Sequence, residues 1–451
     1  MPEFLARLFG TPEASAAFGD RARLQGMLDF EAALARAEAR IGVIPAAAAE
    51  SIARRCRAEL FDVDRLAEAT AAAGNPAIPM VAALTALVAA DDAEAARYVH
   101  WGATSQDAMD TGLILQLRQL AAVLEDDLDR LSASLAGRAE EHKTTLLAGR
   151  TWLQHAAPVT LGLKIAGWLD AIERHSARFE EVQSRALVLQ LGGAAGTLAA
   201  LGGRGMEVAQ ALADELGLAV PAMPWHAHRD RIAEVAAFLA LLIGTLGKMA
   251  RDLSLLMQTE VGEAFEPDVE GRGGSSTMPQ KRNPVSAAVA LAAAARAPGL
   301  VATVLSSMVQ EHERGLGGWH AEWETLPELS SLAAGALRQM VETIEGLEVD
   351  PERMRANLDA TKGGILAEAV AMALAARIGK AQAHQIVEGA SRRARETGRR
   401  LQDVLGEDPA VSTHLTARDL TALFEPRNYL GESVRFVDRV LAGHRRRREA
   451  P

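Results

Sequence analysis

The 451-residue chain carries 48 Lys and Arg against 59 Asp and Glu, a net charge of -11. That balance excludes a nucleic-acid-binding surface as its main business, and an anionic ligand must be met by locally placed cations. The length suffices for a large core and two or three domains, and the single cysteine, Cys56, excludes an intrachain disulfide framework and fits a reducing compartment.

The N-terminus, Met1-Pro2-Glu3-Phe4, has neither the basic region nor the apolar stretch of a signal peptide, so the expected location is cytoplasmic. Aromatic residues make up only 4%, strand-like alternation is scarce, and Ala, Leu, Glu and Arg recur at helical spacing. A nearly all-α fold is expected. A helical N-terminal domain over 1–93 includes a turn at Gly74-Asn75-Pro76 and Pro79. A central domain over 94–350 holds long helices, and Val349-Asp350-Pro351 restarts a helix that opens a C-terminal domain over 351–451.

His100-Trp101-Gly102-Ala103-Thr104-Ser105-Gln106-Asp107 crowds donors and acceptors in front of a helix. Thr104 and Ser105 have hydroxyls that reach a carboxylate, and the helix start adds N–H groups. A plain N-cap by Ser105 or Asp107 explains the same residues. The leucines 113, 117, 120, 124, 128 and 131 then paint one apolar stripe at steps of three and four. Gly149-Arg150-Thr151-Trp152-Leu153-Gln154-His155 follows, in which His155 is either a donor to an anion or a structurally satisfied histidine. A second long helix is expected from Leu161 to about Ser184.

The glycines of Leu191–Thr197 lack the lysine and preceding strand of a phosphate loop, so they read as a tight interhelical turn. His142, His226, His228 and His320 match no metal-ligand spacing, so no metal is expected. The apolar windows Val235–Gly247 and Val285–Val309 are shorter than the roughly 20 residues of a membrane span or are broken by Arg296 and Pro298. They read as buried helices, the first with no face left for water. The tail His444-Arg445-Arg446-Arg447-Arg448 reads as a solvated helix end that complements the dipole.

The densest chemistry lies in Gly274-Ser275-Ser276-Thr277-Met278-Pro279-Gln280-Lys281-Arg282-Asn283-Pro284. A hydroxyl, a cation and an amide share one short loop. Gly271, Gly273 and Gly274 let its backbone approach an anion, Pro279 and Pro284 stiffen its far end, and a helix is expected directly after it. Downstream, Glu311, Glu313 and Arg314 precede glycines and two tryptophans. Arg314 offers a planar fork for a carboxylate, or an ion pair to Glu311 or Glu313, while Trp319 and Trp323 read as packing residues.

The Gly274–Pro284 loop resembles the GSSxMPxKxNP signature of the fumarase/aspartase superfamily, whose members make or break a C–O or C–N bond beta to a carboxylate. Within that superfamily, HWGATSQD and WHAEWETLPEL resemble the 3-carboxy-cis,cis-muconate cycloisomerase branch. The resemblance runs from about Phe30 to the C-terminal helices. It implies a fumarase/aspartase-like central bundle, a homotetramer with sites shared between chains, a small di- or tricarboxylate substrate, and no cofactor, nucleic acid or membrane partner. It implies Ser276 as proton carrier at carbon and Lys281 and Asn283 as holders of an aci-carboxylate. Thr104, Ser105, Ser275, Met278, Gln280 and Arg314 are implied as substrate contacts, with Trp152 beside them.

One departure is informative. Lyase branches carry a proton-transferring His directly after the Thr that corresponds to Thr151; here that residue is Trp152. A lyase needs an acid or base at its leaving heteroatom. A cycloisomerase whose nucleophile is the substrate's own ionised carboxylate does not. Two alternatives stand beside this reading: a fumarate-releasing lyase of the adenylosuccinate lyase kind, against which Trp152 argues, and a non-catalytic helical assembly protein, against which Ser276, Lys281 and Asn283 argue.

Overall fold

The computed structural model describes residues 3–449. Among them are 19 α-helices and four short strands, so the all-α expectation holds. The chain forms two compact units, each gathered from three separate segments. The first takes the chain up to Leu128, His175–Gly247 and Val289–Gln339; the second takes Asp129–Arg174, Lys248–Ala288 and Met340 onward.

In the first unit, helix Asp20–Ile41 turns Leu24, Leu28, Phe30 and Leu34 inward, against Ile52, Leu84 and Leu212. It stops at Gly42, whose φ of 76° forms a left-handed cap that satisfies the carbonyls of Glu38 and Ala39. Gly26 of this helix meets Gly112 of helix Ser105–Glu141 backbone to backbone; a Cβ on Gly26 would lie 2.9 Å from the Gly112 carbonyl oxygen. Only two glycines permit that crossing, and it draws Glu31 towards the residues preceding Ser105. The leucine stripe of helix Ser105–Glu141 is buried from Leu117 to Leu131, with Leu113 half-buried. Each such leucine contributes about 1.5–3 kcal/mol through removal from water.

Gly74, at φ 80°, makes the expected turn, but Pro79 lies in the first turn of helix Ala77–Ala89. Proline is tolerated there because the N–H it removes has no helical partner. Helix Asp230–Leu256 corrects a second expectation: it leaves a stripe open, with Leu241 57% exposed and Gly244 exposed beside it. Helix Val285–Ser306 buries Ala287, Ala290, Ala293, Ala297 and Val304 and leaves most of its remaining apolar surface uncovered, although it was expected to be buried. Its neighbours within one chain cover a single face. By length and composition both helices could cross a membrane, so the length criterion used on the sequence does not separate them from spans; core helices of soluble proteins pass the same test.

The second unit contains an antiparallel hairpin, Leu146–Thr151 with Gln154–Thr160, which the helical reading of the sequence did not anticipate. Trp152 and Leu153 form its two-residue turn with φ of 53° and 63°. Turns of that hand favour Asn-Gly, so two bulky residues are held there against preference. Helix Leu161–Ala186 follows as expected. Asp350 caps helix Pro351–Asp359 through the Arg353 N–H at 2.8 Å, and the C-terminal helices close around Val370, Leu374, Val387 and Leu405. The basic tail ends helix Ser433–Glu449, where His444 and Arg447 bind Glu173, so the tail is tethered as well as solvated.

Candidate active site

Two constellations of side chains answer to the residues singled out by the sequence, one in each unit.

In the first unit Thr104 takes the N-cap position of helix Ser105–Glu141: its carbonyl accepts from the Asp107 N–H at 2.9 Å. Its hydroxyl is not spent on capping. Thr104 Oγ1 instead accepts from Arg314 Nη1 at 2.9 Å, while Arg314 Nη2 donates to the carbonyls of Ala194 (3.0 Å) and Gly193 (3.4 Å). Arg314 pairs with neither Glu311 nor Glu313, and its Nε is buried without a partner among the described residues. Glu311 serves locally, accepting from the Leu316 N–H at 2.8 Å. A half-buried guanidinium with an unused donor, beside a hydroxyl and the half-buried Ser105, is equipped to receive a carboxylate.

The corner is held by Asp107, which is fully buried and accepts five hydrogen bonds. Oδ1 takes Gly192 N–H (2.9 Å), His226 Nε2 (2.7 Å) and Gln190 Nε2 (3.3 Å); Oδ2 takes Thr104 N–H (3.0 Å) and Gly193 N–H (2.9 Å). The glycines of 191–197 thus form the tight turn expected of them, bound to a protein carboxylate. Behind them Arg229, fully buried, bonds Asp110 and Glu322, and Trp319 Nε1 donates to Asp110 at 3.1 Å. Trp319 also meets Trp323 edge to face at 4.9 Å, so both tryptophans pack as expected.

His100 sits at the entrance to this corner with φ 59°, and its Nδ1 lies 2.6 Å from Glu31 Oε1. Glu31 is buried, and Glu38, two turns on, is buried with both carboxyl oxygens unpartnered among the described residues. Burial, with the Glu31 charge beside it, pushes the Glu38 carboxyl up to about 9. Burial would lower the His100 imidazole, but the charge and hydrogen bond of Glu31, with Asp107 beyond, outweigh it and raise it.

In the second unit the Gly271–Pro284 loop is drawn shut at its neck. Asn283 N–H donates to Gly273 O at 2.8 Å, and Asn283 Nδ2 donates to Gly273 O (3.0 Å) and Gly274 O (3.2 Å). Gly273, at φ 71°, is required here, since a Cβ would lie 2.7 Å from the Asn283 carbonyl oxygen. The amide expected on the substrate is therefore engaged as a clasp. Arg272 braces one shoulder against Glu342 at 2.9 Å, and Arg282 braces the other against Glu348 (3.0 Å) and the Glu266 carbonyl (2.8 Å). Buried Glu266 receives the first N–H groups of the following helix, Ser286 at 3.0 Å and Ala287 at 2.8 Å.

Beyond the neck, Ser276, Met278, Gln280 and Lys281 are exposed. Ser275 Oγ accepts from the Met278 N–H at 3.1 Å and shapes the tip, leaving the Ser276 hydroxyl and the Lys281 ammonium without hydrogen-bond or ion-pair partners among the described residues.

The hairpin of the same unit is fixed by Glu263, which is fully buried and takes both arms of Arg150 (2.7 and 2.8 Å) together with Asn357 Nδ2 (2.8 Å). His155 is half-buried, with Nδ1 buried and unpartnered among the described residues. Burial first, then the Arg150 charge, lowers its pKa, so it is neutral at pH 7. Trp152 is 98% exposed and Leu153 73% exposed.

A family model described as "Lyase" matches residues 9–299, and one described as "Adenylosuccinate lyase C-terminus" matches 363–440. A protein of Pseudomonas aeruginosa, 3-carboxy-cis,cis-muconate cycloisomerase, is 63% identical over 95% of this chain and 94% of its own. The chain belongs to the fumarase/aspartase superfamily. Its cycloisomerase from Bradyrhizobium diazoefficiens is 55% identical, covering 97% of each chain. The crystal structure of the 3-carboxy-cis,cis-muconate lactonizing enzyme of Pseudomonas putida superposes with a TM-score of 0.94 at 53% identity, covering 98% of this chain and 99% of that one.

Relative to the superfamily signature, the sequence reading left out the groups that hold the signature in place. Asp107 was weighed only as a cap, and Glu31, Glu263 and Glu266 not at all. The sole local hint for Glu31 is its place in Phe30-Glu31-Ala32-Ala33-Leu34, a charge inside an otherwise apolar face.

Proposed function

We propose that this protein closes 3-carboxy-cis,cis-muconate to 4-carboxymuconolactone, as its relatives' names describe for them, in the catabolism of protocatechuate. One terminal carboxylate of the substrate attacks the carbon beta to the other. The new C–O bond forms as the alkene pair moves towards the second carboxylate, giving an aci-carboxylate, and a proton added at the alpha carbon completes the lactone. Ser276 delivers that proton, Lys281 stabilises the aci-carboxylate, and closure of the loop excludes water. Asn283 sets the neck from which both project, while Ser275, Met278 and Gln280 line the tip. Thr104, Ser105 and Arg314 grip a remaining carboxylate, and neutral His155 donates a hydrogen bond to an anion near Trp152.

The observation that carries this reading is Trp152. It stands exposed and non-titratable where a lyase requires an acid, while the serine, lysine and asparagine of the signature are intact. The cycloisomerase needs no group there, because its nucleophile is already ionised. The open apolar stripes at Leu241 and along Val285–Ser306 support a homotetramer with sites assembled from several copies, cytoplasmic and without membrane or nucleic-acid partners. The division at 1–93, 94–350 and 351–451 is proposed as its evolutionary domain arrangement.

The test is incubation of purified protein with 3-carboxy-cis,cis-muconate and separately with adenylosuccinate and argininosuccinate. Loss of the diene's ultraviolet absorbance in the first, without fumarate in the others, is expected. Fumarate release with the diene untouched overturns the proposal.

A further inference from the structure

His100 combines features that neither a helix cap nor a packing role requires. Its backbone is left-handed at φ 59°, a conformation costing a non-glycine residue on the order of 1 kcal/mol. Its ring is fixed from behind: an ionised carboxylate only accepts, so Nδ1 carries the hydrogen it gives to Glu31 Oε1 at 2.6 Å. Glu31 is 1% exposed, and its other oxygen has no partner among the described residues. A carboxylate desolvated to that degree is costly unless a cation faces it, and His100 is the group that does.

The ring is open on the other side. Nε2 makes no hydrogen bond among the described residues, and the side chain retains 16% exposure. The backbone then runs through Gly102, at φ 71°, to Thr104, whose hydroxyl Arg314 holds. The charged groups facing the imidazole are Glu31 on helix Asp20–Ile41 and Asp107 in the first turn of helix Ser105–Glu141. Glu38 lies behind Glu31 and is protonated at neutral pH, so it adds no third negative charge.

We propose that His100, aligned and kept cationic by Glu31, is a third contact of the carboxylate corner framed by Thr104 and Arg314, its Nε2–H donating to a substrate carboxylate. The proposal rests on the reading above that this corner receives a substrate carboxylate. It gives Glu31 a positioning role: the residue touches no substrate and acts through the orientation and charge of the ring. The corner then offers a guanidinium, a hydroxyl and an imidazolium to one polyanion, in a chain whose overall charge is negative.

The experiment pairs His100→Asn, since asparagine tolerates the left-handed backbone, with Glu31→Gln, each checked for folding by circular dichroism. His100→Asn is expected to raise KM for 3-carboxy-cis,cis-muconate at least tenfold while changing kcat less. In the wild type kcat/KM falls on the alkaline side as the imidazolium loses its proton. Glu31→Gln moves that fall to lower pH, and His100→Asn abolishes it. A merely structural pair would lower the melting temperature of both variants and leave the pH profile in place.

Folded His100→Asn with KM within twofold of wild type and an unaltered profile overturns the proposal, as does folded Glu31→Gln with an unmoved alkaline limb. A wild type without turnover refutes the parent reading alone. In that case calorimetric binding of propane-1,2,3-tricarboxylate decides this one: tenfold weakening in His100→Asn supports it, and unchanged affinity in that variant overturns it.

Discussion

Replacing Asp107 by asparagine removes the carboxylate that ties two loops together. Its five donors divide between the oxygens, three on Oδ1 and two on Oδ2. The least costly placement of the new amide puts its NH2 where Oδ2 was, facing the N–H groups of Thr104 and Gly193. Two buried backbone donors then lose their acceptor, each at about 1–3 kcal/mol, so the variant should be destabilised by about 2–6 kcal/mol. At roughly 2–4 °C per kcal/mol, that is a fall of at least about 4 °C in the thermal midpoint followed by far-ultraviolet circular dichroism. Asp126, exposed on the same helix, supplies the control; its asparagine variant should stay within about 0.5 kcal/mol of wild type. Because Gly193 and Thr104 both hold Arg314, kcat/KM should fall in the same variant even well below its melting temperature. An Asp107→Asn protein as stable as the Asp126 variant and equally active would refute the argument that this carboxylate organises the corner.

Ser276→Ala should fold normally and lose turnover by at least about a hundredfold, followed by diene absorbance; near-normal turnover would move the proton donor to His155 or water. Arg314→Lys, which keeps the charge but loses the fork, should raise KM about tenfold or more in steady-state kinetics. Glu38 holds its proton up to about pH 9 when folded, whereas its ordinary value is 4.5. The folded state therefore binds the extra proton across that window, and stability falls as pH rises through it, by up to about 1.4 kcal/mol per pH unit. Glu38→Gln should remove that slope in denaturant titrations at pH 6 and pH 8.5; an equal slope in both proteins would show that Glu38 is ionised when folded. Trp152→Asn with Leu153→Gly supplies the residues the hairpin turn prefers, so the melting temperature should rise or hold while kcat/KM drops; unchanged activity would remove the hairpin tip from the site.

The parts of this molecule legible in its sequence are those whose cause is local. The leucines from 117 to 131 recur with the helical period, and the only information needed to bury them is that period. The Gly274–Pro284 loop was legible because glycine, serine, lysine, asparagine and proline occur in an order that few structural demands produce. Arg314 and Thr104 could each be named, although 210 residues separate the atoms that meet.

What escaped depends on partners distant in the chain. Glu31 and Glu38 look like ordinary helix-surface charges until the Gly26–Gly112 crossing encloses one of them with His100. Glu263 and Glu266 carry no local mark, yet one fixes the hairpin through Arg150 and the other starts the helix after the loop. The hairpin turn was invisible for the opposite reason: Trp152 and Leu153 are poor residues for left-handed backbone, and no propensity argument would place them there. The clasp made by Asn283 was hidden because the same amide suits a substrate equally well.

The neck at Gly273 and Asn283 makes the residues from Ser275 to Lys281 a separable cassette. Its two ends are fastened to Glu342 and Glu348 without the help of anything at the tip, so the tip can be rewritten without disturbing the helices beneath it. A scaffold built this way can acquire new chemistries through exchange of a handful of exposed residues. Transplanting the tip of a relative with a different reaction onto this neck is accordingly a practical route to redirecting it.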